Sequence, residues 1–158
     1  MSGKGVRKLK IRLAVGDEDY EEIASYLLAH GIEIDDDAEL VLTQKDKYAS
    51  HLSARDPKTG ERLHISVAEI VYIESFGHTV EIHTRDAVLD TSDRLYQLAA
   101  LLDPGRFLRV SNSVIIAKRC VKRINPALSM KFTLIMSDGS KVDVTRSYYN
   151  IFKDAFNI

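Results

Sequence analysis

From about residue 48 to the C terminus, runs of apolar and polar alternation only a few residues long are cut repeatedly by turn signals. Side chains on a strand point to alternate faces, so this pattern is the signature of many short strands folded into an all-β sandwich or barrel. Asp56-Pro57-Lys58-Thr59-Gly60 is expected to turn the chain between Leu52 and Leu63, and Gly77 to interrupt the run from Val71 to Ile82. Asp138-Gly139 is a strong hairpin signal: Met130, Phe132, Leu134 and Met136 alternate before it, and Val142 and Val144 answer after it. Two helices are expected within this region. Ser92 caps one that presents Leu95, Leu98, Ala99 and Leu102 on a common face and stops at Pro104-Gly105. Tyr148, Ile151, Phe152 and Ala155 mark the other, near the C terminus.

The first 47 residues read differently. Lys8 to Val15 alternates strictly, with Leu9, Ile11, Leu13 and Val15 on one side, which predicts a half-buried strand. A helix follows, with Asp17 or Asp19 as its cap and a capping box between Asp19 and Glu22. Its apolar face is Tyr20, Ile23, Ala24, Leu27 and Leu28, and Gly31 ends it. Leu40-Val41-Leu42 predicts a second strand. The chain therefore divides into a small acidic β-α-β module over residues 1–47, regulatory or dimerising, and a β-rich domain over residues 48–158. No internal repeat is apparent.

With 158 residues and 45% hydrophobic composition the chain can build a real core, and 8 Gly, 3 Pro and no low-complexity run argue against a long disordered tail. The single cysteine, Cys120, cannot form an internal disulfide, and no Cys/His grouping has zinc-site spacing, so no metal and no cofactor are expected. Its apolar context makes Cys120 a small core residue. The basic start (Lys4, Arg7, Lys8, Lys10, Arg12) lacks the continuous apolar stretch of a signal peptide. No apolar run approaches the roughly 20 residues needed to span a bilayer. The expected location is cytoplasmic, with any membrane connection made through a partner.

A net charge of -1 hides an asymmetry. Residues 103–158 hold 10 Lys or Arg against 4 Asp or Glu, whereas residues 1–102 hold 12 against 19. Residues 17–39 alone carry ten acidic side chains and no Lys or Arg, a segment that a phosphate backbone repels. The basic C-terminal part is the anion-binding candidate.

Within that part, Phe107-Leu108-Arg109-Val110-Ser111-Asn112-Ser113-Val114-Ile115-Ile116 runs from an aromatic through an arginine and a polar pair into an apolar strand. This resembles the most recognisable segment of LytTR-family DNA-binding domains. Ile70-Val71-Tyr72-Ile73-Glu74-Ser75 is similar to the family's opening strand, and Val144-Thr145-Arg146-Ser147-Tyr148 to its closing strand-to-helix junction. The resemblance covers about residues 48–158. It implies a mostly β (α+β overall) fold, a LytTR-like domain of short antiparallel strands with one or two short helices, behind the small β-α-β unit. It also implies a transcription regulator that inserts loops into successive major grooves of double-stranded DNA, with bases read by His78, Asn112 and Arg146. Arginine can bond guanine O6 and N7, asparagine adenine N6 and N7, and histidine can donate or accept. Arg109, Ser111, Ser113, Lys118, Arg119, Thr145 and Ser147 become the phosphate partners by charge or hydroxyl. Ser111 stands where the family often has histidine, and Ala117 where an asparagine is common, so base preference is expected to differ. The resemblance further implies a homodimer on paired half-sites about one helical turn apart. The 47 residues ahead of the match are too few for a receiver domain, so phosphorelay control is not expected, and a membrane-bound inhibitor protein is the expected restraint.

Each residue also has a plainer use: Arg146 as a surface arginine, Asn112 as a turn former, His78 as a solvated turn histidine, and Lys118, Arg119, Lys122 and Arg123 as a strand edge guarded against aggregation. Asp35-Asp36-Asp37 with Glu39 lacks the glycine and distant glutamate of a calcium loop and reads as a solvated loop. No catalytic motif is present and no enzyme is expected. The competing class is a protein-binding adaptor whose basic loops engage an acidic protein.

Overall fold

The computed structural model describes residues 8–44 and 47–158; Lys4 and Arg7 of the basic start lie outside the described residues. The chain divides into two compact units, one up to Tyr48 and the other from Ala49 to Ile158.

In the first unit, β1 (Lys10–Ala14) leads through α1 (Asp17–Ala29) to β2 (Glu33–Ile34) and β3 (Leu40–Thr43), in a parallel sheet of order β2-β1-β3. The alternation in β1 buries Ile11 and Leu13, which pack with Leu27, Ile23 and Ala24 of α1 and with Val15, Ile32 and Ile34. Gly31, at φ +76, ends the helix, and the Ile32 N–H closes it by donating to the Leu27 carbonyl at 2.9 Å. The cap differs from expectation. Gly16 occupies that position, and Asp17 and Asp19 lie inside the first turn. Asp19 accepts instead from Gln44 Nε2 at 2.9 Å and Lys47 Nζ at 3.3 Å, and these bonds, Gln44 first, hold its carboxyl below the ordinary carboxylate range. Leu28, expected on the packed face, is 59% exposed, and Tyr20 is also exposed, because the small sheet accepts only the narrower stripe of Ile23, Ala24 and Leu27.

The second unit is mostly β. In chain order it holds β4 (His51–Arg55), β5 (Arg62–Ser66), β6 (Ile70–Phe76), β7 (Thr79–Thr84), β8 (Val88–Thr91), α2 (Leu95–Leu101), β9 (Phe107–Arg109), β10 (Val114–Ala117), β11 (Val121–Ala127), β12 (Lys131–Met136), β13 (Lys141–Val144) and α3 (Tyr149–Phe156). Seven strands form one sheet of order β5-β4-β8-β7-β6-β10-β9, and β11, β12 and β13 form a second. The pairings within both sheets are antiparallel. Expected turns at residues 56–60, Gly77 and Asp138-Gly139 join β4 to β5, β6 to β7 and β12 to β13. Gly60, Gly77 and Gly139 all take positive φ, a region in which a Cβ is strained.

Ile70, Ile73, Ile82, Leu98, Ile116, Leu134, Met136 and Val144 are fully buried. Each such aliphatic side chain contributes about 1.5–3 kcal/mol relative to exposure. The closing helix adds an aromatic cluster, in which Phe152 lies against Phe132 and Phe156, and Tyr149 stacks on Phe132 at 4.8 Å.

Several local expectations need correction. Ser92 does not cap α2; the helix starts at Leu95, and the Arg94 N–H is taken by the buried Gln97 side chain at 2.8 Å. Shifting the start brings Leu101 to the core and leaves Ala99 exposed. Ile151 is exposed, since α3 buries only the stripe centred on Phe152. Met130 leaves the strand altogether and, with Ser129, forms the positive-φ turn between β11 and β12. Among the described residues no helix is long and apolar enough to cross a membrane.

Candidate nucleic-acid interface

The sheet register gathers the loops of interest at one end. Glu74 of β6 pairs with Val114 of β10, and the Ser75 N–H donates to the Ser113 carbonyl at 2.8 Å. The loop between β9 and β10, which carries Asn112, therefore emerges beside the end of β6. From that end β6 turns through Gly77 and His78 into β7, the last pair being Phe76 with Thr79. His78 and Asn112 are both exposed.

The third position joins them from the other sheet. After β13, the Thr145 N–H donates to the Val110 carbonyl at 3.0 Å, which fastens the chain to the foot of the Asn112 loop. A single tight turn over Arg146–Tyr148 follows. Tyr148 Oη donates to Asn112 Oδ1 at 3.1 Å, across 36 positions of sequence. Arg146 and Ser147, on the turn between these fastenings, are exposed. Asn112 and Arg146 thus belong to one surface.

The Asn112 loop has its own brace. Arg109 donates through Nε to the Ser111 carbonyl at 3.1 Å and through Nη2 to the Asn112 carbonyl at 2.6 Å. A planar guanidinium makes two such bonds with fixed geometry, which a lysine cannot do. Ser111 Oγ accepts from the Ser113 N–H at 3.2 Å and lies 3.3 Å from Ser113 Oγ. Because these bonds hold the main chain, the Asn112 amide stays at the surface. Its oxygen is oriented by Tyr148 and retains a second lone pair, while its NH2 faces no other recorded partner among the described residues.

The expected phosphate partners separate into groups. Ser113 and Thr145 are half-buried and Ser147 exposed on the face just described. Ser111 is only 6% exposed, so its hydroxyl belongs to the loop's interior. Arg109 directs Nε and Nη2 to loop carbonyls. Lys118 and Arg119 follow the far end of β10, where the Lys118 N–H donates to the Arg106 carbonyl and the Arg119 guanidinium to the carbonyls of Ala68 and Ile70 and to Cys120 Sγ. They do not share the end that carries Asn112. Sequence reasoning missed Tyr148 as an orienting group and Arg109 as a brace, since the partners of both are set by loop geometry that no motif spells out.

Electrostatics around the loops are not wholly basic. Glu74, two positions from the end of β6, faces Glu81 across the strand pair, and burial together with that like charge raises its carboxyl above the ordinary range. In the next rung on the same face, Tyr72 stacks on His83 at 4.1 Å, and burial pushes the imidazole down.

Residues 60–157 match the family described as the LytTr DNA-binding domain. Among curated proteins, the sensory transduction protein LytT of Bacillus subtilis (strain 168) is 30% identical over 94 residues, which is 60% of this chain and 39% of that protein. The transcriptional regulatory protein LytR of Staphylococcus aureus (strain MW2) is 26% identical over 89 residues, covering 56% of this chain and 36% of its own length. The chain thus spans less than two fifths of these relatives. A solved LytTr DNA-binding domain from Bacillus cereus superposes with a TM-score of 0.66 at 21% identity, over 70% of this chain and 99% of that one, which establishes likeness of fold.

Proposed function

Because this chain belongs to the LytTr DNA-binding domain family, we propose that it is a sequence-specific transcription regulator that reads base edges with His78, Asn112 and Arg146 in successive major grooves. The observation that carries this reading is the pair of fastenings, Thr145 to Val110 and Tyr148 to Asn112, that bind the Arg146 turn to the Asn112 loop. Two exposed side chains of the right chemistry then face one partner. Arg146 supplies a fork for guanine O6 and N7, and Asn112 an oriented amide for adenine N6 and N7. Ser113, Thr145 and Ser147 supply hydroxyls for adjacent phosphates, which fix register without reading sequence. The naming of relatives as a transcriptional regulatory protein and a sensory transduction protein supports transcription as the output.

One such face covers a few base pairs. Specific binding therefore uses two protomers on similarly oriented half-sites about one helical turn, roughly 10 base pairs, apart. The acidic first unit, which a phosphate backbone repels, serves regulation or protomer pairing.

Selection from a random duplex pool tests the reading. The expected result is enrichment of a motif repeated at one-turn spacing, bound weakly when halved. Failure to recover any reproducible motif would sink it in favour of an adaptor that engages an acidic protein.

A further inference from the structure

The hairpin of β4 and β5 carries none of His78, Asn112 and Arg146, and its β4 strand precedes the residues matched to the family. Its outer surface carries a groove of about 520 Å³ lined by Arg55, Arg62, His64, His78, Thr79 and Asp90 among others. The register explains why these residues converge. Arg55 pairs with Arg62 on one side and Asp90 on the other, so all three side chains rise from the same face, and Ser53 with His64 forms the next rung toward the turn-bearing end. At that end the β6–β7 turn contributes His78 and Thr79 to the same groove.

We propose that this groove receives the sugar-phosphate backbone of the duplex, beside the bases that the loops read. The inference rests on the DNA-binding reading above and extends it to residues that neither the family match nor the loop geometry singles out. Its first support is charge. Arg55 and Arg62 are permanently cationic, and their planar forks suit phosphate oxygens. Its second support is continuity, because His78 belongs at once to the reading surface and to the groove wall. A backbone followed away from His78 meets His64 and Arg62 without leaving the protein.

Asp90 makes the arrangement adjustable. Its carboxylate lies 3.7 Å from Arg55 Nη2, and among the described residues no carboxylate is paired with Arg62. In free protein Asp90 restrains Arg55 and opposes an incoming anion; Arg62 is the cation ready for phosphate. Replacing Asp90 with Asn should therefore strengthen DNA binding, and a gain of this kind cannot come from misfolding.

The test is affinity of the full chain for its selected duplex, measured between 50 and 200 mM salt, for wild type, Arg62→Ala and Asp90→Asn. Each phosphate contact contributes about 0.9 to the slope of log affinity against log salt, so R62A should lessen the loss over that range by about 3- to 4-fold. Its ranking of base substitutions in the site should stay that of wild type. D90N should bind more tightly than wild type and show a steeper slope. Trimming the flanking base pairs should reproduce the R62A loss and leave R62A itself unchanged. An unaltered slope in R62A, no gain in D90N, or a flank effect that persists in R62A would each overturn the proposal while specific binding by wild type stood. Absence of a specific site for wild type would instead remove the reading on which it rests.

Discussion

Tyr148 orients the Asn112 amide oxygen, and among the described residues the amide NH2 has no partner, so in the proposed reading a single hydroxyl sets how the loop addresses a base. Replacing Tyr148 with Phe keeps the ring and removes that bond. Specific affinity should fall by about 0.5–1.5 kcal/mol, while affinity for scrambled duplex and the thermal midpoint stay close to wild type. Fluorescence anisotropy on both duplexes checks this; equal losses on the two would assign Tyr148 to general packing. Arg146 answers to a different test. Its replacement by Ala should cost about 1–3 kcal/mol on the selected site and relax preference at one base pair. A uniform loss on all DNA would mean a phosphate contact. Of the proposed reading residues, Asn112 and Arg146 sit in segments of recognisable order, and His78 sits at the turn that Gly77 marks. The roles of Arg109 and Ser111 were not, since an arginine that grips main-chain carbonyls and one that grips phosphate look alike in a string of letters. Arg119 illustrates the same limit: only the fold reveals that its guanidinium is occupied at the carbonyls of Ala68 and Ile70.

Among the elements, the β6–β7 pair bears the clearest pH signature. Glu74 and Glu81 stand directly opposite, a like-charge pair that strands disfavour, and burial adds to the cost of charging Glu74. With its folded pKa above the ordinary 4.5, the folded state holds the proton longer, so this group's favourable contribution is complete below 4.5 and is lost as pH rises through the raised value. Glu74→Gln should accordingly raise the melting temperature at neutral pH, with the difference vanishing near pH 4. His83 has the opposite sign. Burial lowers its pKa from 6.5 despite the carboxylates of Glu81 and Asp138, so the unfolded chain takes up the proton first as acid is added. Its contribution is present above 6.5 and is lost as pH falls through the lowered value. The turn between β11 and β12 stores strain of another kind, with Ser129 at φ 64 and Met130 at φ 56. Changing the two to Asn and Gly should stabilise the protein by about 1 kcal/mol in denaturant melts, because those residues tolerate the left-handed region. Hairpins carrying Gly were legible in advance, and this one was not, for want of any residue that announces such a turn. Helix starts escape a reading of the sequence for a related reason: Asp19 and Ser92 have capping chemistry, but Gln44 with Lys47 claims the first and Gln97 replaces the second.

At the level of the whole molecule, charge separates by unit. Residues 1–48 hold 7 Lys or Arg against 11 Asp or Glu, and residues 49–158 hold 15 against 12. Negative charge carried on the same chain repels a phosphate backbone and should suppress indiscriminate binding. Changing Asp35, Asp36 and Asp37 together to Asn in the full chain should raise affinity for random duplex at low salt and narrow the gap between specific and random sites. Unchanged affinity for random DNA would show that the first unit exerts no such influence. The mostly β class was legible because alternation and turn chemistry agree along the whole second unit; the grouping of its strands into two sheets was not, because pairing depends on partners far apart in the chain. The brace at Arg109 has one more outcome. Since it holds main-chain oxygens, the course of the loop itself rests on Arg109, and the side chain at position 112 enters only the bond to Tyr148. In the proposed reading, exchanging that one letter should shift base preference and release one of the two fastenings of the Arg146 turn, while the loop beneath it keeps its course.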